Sequence, residues 1–318
     1  MKSVDTYLEN TVLPMIKAQY PAVYYEMSIM ILGSVGLRID DELSDFEAAV
    51  YLSDKLWSEY GKELQLSLNH LLSKTNQWKQ EGSIICVHPI SWLLDGNANN
   101  ILINKNDILW EDITFETLFT MQNNLIPFDP KGVLSFLRNN TSEQYYPLNL
   151  WKKMLLTQLK QLILEDYFEL LKSVKRHNFA ESNILFGNVL NGIYHIAFII
   201  TQSYYPWRTH LVWAFNNLAI SKSELGKYIE SLLCEYEWNK RVEILQDIIE
   251  FLKDYIRRND LLPEVNLFSE DLENELIWSE RLSAWSNPKW KDFVMEKQEE
   301  AIKNGYSLSE FWVWSLWS

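Results

Sequence analysis

The chain is short of the residues that interrupt secondary structure. Its 318 residues include only 10 glycines and 9 prolines. So few turn formers leave long uninterrupted stretches, which predicts a mainly helical protein. Cysteine is scarcer still: Cys86 and Cys234 stand alone, with no Cys-x-x-Cys spacing. That excludes a zinc ribbon or a disulfide framework and leaves two reduced thiols. Positive charge is also in short supply, with 29 Lys and Arg against 43 Asp and Glu and a formal charge of −14. An acidic field repels a phosphate backbone, so sequence-independent binding of nucleic acid is not expected. A cationic small molecule, or a nucleotide carried with a divalent cation, suits the field better. Long hydrophobic runs are missing too. The most apolar helical stretch, Gly192 to Thr201, reads as too short to span a bilayer. The opening MKSVDTYLENTVLPMIK lacks the apolar run of a signal peptide. The expectation is a soluble, cytoplasmic protein with no membrane partner.

The chain is rich in aromatic residues, with 14 Trp, 16 Tyr and 14 Phe. Its length accommodates two domains. Val4, Leu8, Val12, Met15 and Ile16 recur at helical spacing, with Pro14 as a break and Pro21 as a boundary. Residues 23–32 read as a buried strand ending at Gly33, residues 45–52 as a second strand and roughly 54–74 as a helix. Gly82 opens a third short strand, SIICVHPI, stopped at Pro89. The fold class expected is α+β, a small mixed-sheet domain over residues 1–140 followed by an α-helical bundle over 141–260. Residues 123–147 read as the connector. Leu150, Met154, Leu155, Leu159, Leu162 and Ile163 give the bundle one amphipathic face. Asn183 to Gln202 is its central, nearly all-apolar helix. Residues 261–318, with Trp278, Trp285, Trp290, Trp312, Trp314 and Trp317, are read as a helical tail packing on the bundle.

The chemistry concentrates in ILGSVGLRIDDELSDFEAAVYL, residues 31–52. Carboxylates at i and i+2 of a strand share a face, so Asp45 and Glu47 project together. Two such groups repel unless a cation lies between them. Mg²⁺ takes one or two carboxylates plus substrate phosphates. Gly33 lets backbone N–H groups approach a phosphate and Ser34 adds a hydroxyl donor. Each feature also has a plain structural reading, as a common turn and as the solvated face of a strand. Arg38, inside the acidic loop, is a candidate phosphate contact. On the bundle's apolar helix, Asn188, Asn191 and His195 step by three and four and share a face. They fit either a substrate cleft with His195 as acid or base, or a self-satisfied polar network.

Leu32-Gly33-Ser34 followed by Asp45-Phe46-Glu47 resembles the signature of the nucleotidyltransferase superfamily with the DNA polymerase β-like fold. Gly36, Asp40 and Ser44 also sit where aminoglycoside nucleotidyltransferases tend to have Gly, Asp and Ser. A closer resemblance is to DUF4037-type bacterial proteins. It is carried by Gly33-Ser34, Asp40-Asp41-Glu42-Leu43-Ser44, Tyr145-Tyr146-Pro147 and Tyr204-Tyr205-Pro206-Trp207-Arg208. The resemblance implies a two-metal nucleotidyl transfer, with Mg²⁺ on Asp45 and Glu47, phosphates on Gly33 and Ser34, and attack of an acceptor hydroxyl on the α-phosphate with pyrophosphate leaving. The implied partners are a nucleoside triphosphate and a small hydroxylated acceptor, for which the acidic field suits a cationic, aminoglycoside-like molecule. The family pattern adds a third carboxylate on a neighbouring strand. Residues 83–88 contain no acid, and His88 suits Mg²⁺ poorly. Glu81, Asp95 and Glu116 are the alternatives, and two other readings stand: a catalytically silent binder of a nucleotide or small molecule, and nucleotidyl transfer onto a protein.

Overall fold

The computed structural model describes residues 4–74, 83–262 and 303. The expected Trp-rich tail, Gly82 and Glu81 lie outside the described residues. The chain divides into two compact units, one of residues up to Pro147 with Tyr204–His210, the other of Leu148–Ser203 and residues from Leu211 onward.

The first unit holds a three-stranded mixed sheet of β1 (Ser28–Ile31), β2 (Glu47–Leu52) and β3 (Ile84–Pro89), in that order. β1 runs antiparallel to β2, with Ile31 opposite Ala48. β3 runs parallel to β2, with Glu47 opposite Ile84 and Ala49 opposite Cys86. A parallel pair needs a crossover. The helix α1 (Asp54–Ser73) supplies it, opened by Ser53, whose hydroxyl accepts from the Leu56 N–H at 3.3 Å.

Period-2 alternation sorts the strands. Ile29, Ile31, Ala48, Val50, Leu52, Ile85 and Val87 join one core with Leu64 and Leu68 of α1 and with Leu8, Val12, Ile16 and Val23. Glu47, Ala49, Tyr51, Cys86 and His88 take the other face. The β3 backbone is met by a side chain of α1: Gln65 donates to the Ile85 carbonyl at 2.7 Å and accepts from the Val87 N–H at 2.8 Å. That pairing occupies groups which would otherwise invite another strand.

The first strand is shorter than its apolar run suggests. Pro21–Tyr24 is a helical turn, so the strand starts only at Ser28. Pro14 does not end the first helix. A wide turn over Leu8–Val12, closed by the Leu13 N–H on the Leu8 carbonyl, precedes it, and the helix continues as Leu13–Gln19. Residues 123–147, expected as a connector, are bonded into this unit. The Ile29 N–H donates to the Phe128 carbonyl at 2.7 Å and the Ile31 N–H to the Leu125 carbonyl at 2.9 Å. Helices α2 (Phe115–Asn123) and α3 (Val133–Asn140) flank that stretch.

The second unit is helical, with α4 (Leu148–Lys160), α5 (Phe168–Lys175), α6 (Phe179–Ile200), α7 (Arg208–Asn216, entering from the first unit), α8 (Glu224–Cys234) and α9 (Trp238–Arg258). The buried stripe of Leu150, Leu155, Leu159, Leu162 and Ile163 bears out the amphipathic reading, while Met154 is half-exposed. Gly192 lets α6 approach closely: a Cβ there would stand 3.3 Å from Leu162 Cδ1. The apolar stretch starting at Gly192 is a correction to the sequence reading. It is the second half of the 22-residue α6, the one described helix long and apolar enough, by length and composition, to cross a membrane, and half of that window is buried inside the protein. The fold is α+β, mostly helical with one small mixed sheet, as expected.

Candidate nucleotide site

Two backbone constraints place Gly33 against Glu47. The Leu32 N–H donates to the Glu47 carbonyl at 2.8 Å, which holds the end of β1 to the start of β2. The chain then turns through Gly33 at φ +59°, where a Cβ would meet Glu47 Oε2 at 2.8 Å. A side chain at residue 33 would therefore be strained and would displace the carboxylate. A single helical turn, Gly33–Gly36, follows. Its Gly36 is required for space, since a Cβ there would stand 2.2 Å from the Ile31 carbonyl oxygen. Asn124, almost fully buried, donates from Nδ2 to that same carbonyl at 2.9 Å, and the Leu125 N–H donates to the Gly36 carbonyl at 3.1 Å.

The two carboxylates flank Phe46, which is fully buried and meets Tyr7 edge-on at 5.9 Å. The Phe46 N–H donates to Ser83 Oγ at 3.0 Å and its carbonyl accepts from Ile84 at 2.8 Å. Anchoring residue 46 inward directs Glu47 to the opposite face of β2, and Asp45, which precedes the strand itself, stands close enough to act on Glu47 electrostatically. Burial pushes the Glu47 carboxyl above the ordinary carboxylate range, and Asp45 pushes it further. Among the described residues no donor or cation is bonded to either carboxylate. A half-buried, unneutralised pair of hard oxygen ligands fits Mg²⁺.

Glu47 and Gly33 line a cavity of about 280 Å³ with Leu32, Leu37, Phe119, Thr120, Asn124, Pro206, Trp207, Thr209 and His210. Sequence reasoning missed Phe119, Thr120, Asn124, Thr209 and His210. Burial lowers the His210 pKa, favouring the neutral imidazole. Trp207, part of the Tyr204–Arg208 motif, is 62% exposed. Ser34 is half-buried on the Gly33–Gly36 turn. Arg38 is exposed just past it, at φ 60°. In the acidic loop, Asp41 and Ser44 bond each other: Asp41 Oδ1 accepts from the Leu43 N–H and from Ser44 Oγ, both at 3.0 Å.

Beside Glu47, β3 presents Cys86 rather than an acid. Burial raises the Cys86 thiol pKa and Glu47 raises it further. His88 lies between Tyr51 at 6.1 Å and Trp92 at 5.2 Å, stacked on the latter, and burial lowers its pKa. Asp95 and Glu116 stand together at the start of α2, where the Thr114 N–H donates to Asp95 Oδ2 at 3.2 Å. Burial raises the Glu116 carboxyl, and Asp95 adds to it. Neither lines the cavity. Among the described residues no three or more His, Cys, Asp or Glu side chains are grouped to hold a metal. Asn191 and His195 belong to the second unit, where Asn191 Nδ2 and His195 Nε2 are 3.4 Å apart. One turn earlier on the same helix, Asn188 bonds to Asp166.

Residues 110–213 match the family model described as "Domain of unknown function (DUF4037)". The match covers about a third of the chain and bears out the resemblance read from Tyr145-Tyr146-Pro147 and Tyr204–Arg208, both of which lie inside it. The Gly-Ser turn and the acidic pair lie outside it. Among solved structures, the chain is similar to a nucleotidyltransferase-like protein from Exiguobacterium sibiricum 255-15, at 14% identity. That alignment covers 92% of this chain and 90% of the other, with a TM-score of 0.39. No curated protein matches the chain.

Proposed function

We propose that the first unit is a nucleotidyltransferase-like domain that binds a nucleoside triphosphate with Mg²⁺ and passes the nucleoside monophosphate to a small hydroxylated acceptor. One observation carries this reading: the unpaired Glu47 carboxylate lies against the positive-φ Gly33 in a shared cavity, with Asp45 beside it. Asp45 and Glu47 would hold Mg²⁺, which supplies charge neutralisation of the phosphates when bound. The opening turn leaves the N–H groups of Gly33, Ser34 and Val35 without helical acceptors, and these with the Ser34 hydroxyl are the phosphate donors. Arg38, exposed just past the turn, is the candidate for an additional cation. The acceptor oxygen bonds to the α-phosphorus, the bond to the bridging oxygen breaks, and pyrophosphate leaves. His210 on the cavity wall is placed to take the hydroxyl proton. The acidic balance favours a cationic acceptor, aminoglycoside-like in chemistry, and the reaction suits the cytoplasm, where Mg²⁺ and nucleotides are at hand.

Calorimetric titration with a non-hydrolysable ATP analogue, with and without Mg²⁺, tests the reading. Metal-dependent binding lost in Asp45→Ala/Glu47→Ala supports it, and absence of binding for all four common nucleotides refutes it. The absence of an acid on β3 favours a second reading, a binder without turnover. It predicts the same titration but no pyrophosphate release with any hydroxylated acceptor.

A further inference from the structure

Among the described residues, Tyr204–His210 is the only segment after Pro147 that belongs to the first unit. Its start is firmly anchored. Tyr204 is 1% exposed and donates its hydroxyl to the Thr141 carbonyl at 3.1 Å. Tyr205 packs on Phe115 at 5.1 Å, and Tyr204 packs on Phe115 at 5.4 Å and Tyr146 at 5.8 Å. Pro206 fixes the next backbone angle. The next residue is Trp207, whose indole is exposed and has no hydrogen bond or ring contact among the described residues. Other tryptophans differ: Trp57 donates to the Val87 carbonyl at 3.2 Å, Trp92 stacks on His88 and Trp238 stacks on Phe179. A rigidly presented, unpartnered indole in the cavity of Gly33 and Glu47 has apolar area and an N–H to offer a ligand. Phe119 lines the same cavity, and Thr120, Asn124 and Thr209 add polar groups.

We infer that Trp207 is the nucleobase platform of this cavity, stacking on the heterocycle of the nucleoside triphosphate whose phosphates lie at Gly33 and Glu47. The inference rests on the proposed nucleotide site and adds the residue that recognises the base. Arg208, next in sequence, is exposed and makes no ion pair among the described residues. It carries the segment's one fixed positive charge, next to the cavity wall but outside its lining. Stacking on an aromatic side chain tolerates any base, so the platform sets affinity for nucleosides rather than a choice among them.

The test compares two probes on the full chain, a non-hydrolysable nucleoside triphosphate and inorganic tripolyphosphate, each with Mg²⁺. Trp207→Leu should weaken the nucleotide by roughly 5- to 150-fold and leave tripolyphosphate unchanged. Trp207→Phe should restore most of the loss. Thermal midpoints checked alongside should stay at the wild-type value, as the side chain is exposed. Unchanged nucleotide affinity in Trp207→Leu overturns the platform, as does a parallel loss of both probes. A wild-type protein that binds tripolyphosphate as tightly as nucleotides also overturns it, while leaving the phosphate site standing. A wild-type protein that binds neither overturns both.

Discussion

Replacing Gly33 by alanine separates backbone strain from carboxylate position. Gly33 has φ +59° and a Cβ there would stand 2.8 Å from Glu47 Oε2. An L-residue in this region costs about 1–2 kcal/mol. The contact adds little to that in stability, because the atom it meets is the end of a flexible side chain, which can swing away. It adds much to function, because the swinging atom is the proposed metal ligand. Gly132 provides the matched control: its φ is +68° and nothing lies within 4 Å of its Cβ. Both variants should therefore lose about 1–2 kcal/mol, lowering the thermal midpoint by about 2–4 °C per kcal/mol. Only Gly33→Ala should weaken Mg²⁺-dependent nucleotide binding, by tenfold or more if one metal–oxygen contact is lost. Denaturant melts and calorimetric titrations on the two proteins read the two quantities independently. Equal nucleotide affinity in Gly33→Ala and Gly132→Ala would refute the claim that Gly33 sets the position of Glu47.

Three further outcomes follow from the same geometry. Because burial and Asp45 raise the Glu47 pKa, the folded state holds that proton more tightly than the unfolded chain. Metal-free stability should then fall as pH rises above about 4.5, Glu47→Gln should abolish that loss, and Mg²⁺ at a hundredfold excess over its Kd should raise wild-type stability by about 2.7 kcal/mol but not the variant's, as read by thermal melts. Asp129 runs the other way. Burial pushes its carboxyl up, but bonds from Ser135, Ser28 and Leu134 pull it below the ordinary range, so its contribution is present above that range and lost as pH falls through the depressed value. Asp129→Asn should cost about 1.5 kcal/mol at pH 7 and flatten the acid limb of the melt profile. Cys86→Asp places a carboxylate on β3 facing the side of Glu47; it should lower metal-free stability at pH 8 and raise Mg²⁺ affinity, and unchanged Mg²⁺ affinity in a titration would count against the assumed metal position.

Local chemistry made most of the first unit legible in the sequence. The helix opened by Ser53 lies where its apolar spacing puts it. The strand after Asp45 puts Glu47 on the face opposite Phe46, because Phe46 must be buried, and then runs buried on both faces as its apolar sequence does. The cavity's other wall had no comparable signal. Phe119 and Thr120 are ordinary residues on a short helix and Asn124 follows its end, and their role depends on a long-range pairing: residues 125–128 run beside β1. No local pattern encodes that partner, and the same stretch reads as a loop because Pro127, Asp129, Pro130 and Gly132 crowd it. His210 was hidden for a related reason. It opens a helix whose later residues belong to the other unit, so its sequence neighbours are not its neighbours in space.

The missing third acid has a different cause, and the sheet register makes it concrete. With Ala49 opposite Cys86, any carboxylate on β3 facing Glu47 would have to occupy position 84, 86 or 88, and the chain puts Ile84, Cys86 and His88 there. A third charge on this face would add to the repulsion that already raises Glu47. Without it, two carboxylates can hold one hard cation, with water and phosphate oxygens completing the shell. Glu116 and Asp95 stand together at the start of α2, outside the cavity of Glu47, and Glu116 adds to the burial that raises the Tyr205 hydroxyl in the anchored segment. On the proposed reading, such a pair would take one metal together with its nucleotide. The proposed reaction would then draw its proton acceptor from the wall formed by the returning segment, where, among the described residues, His210 is the one titratable side chain besides Glu47 lining the cavity.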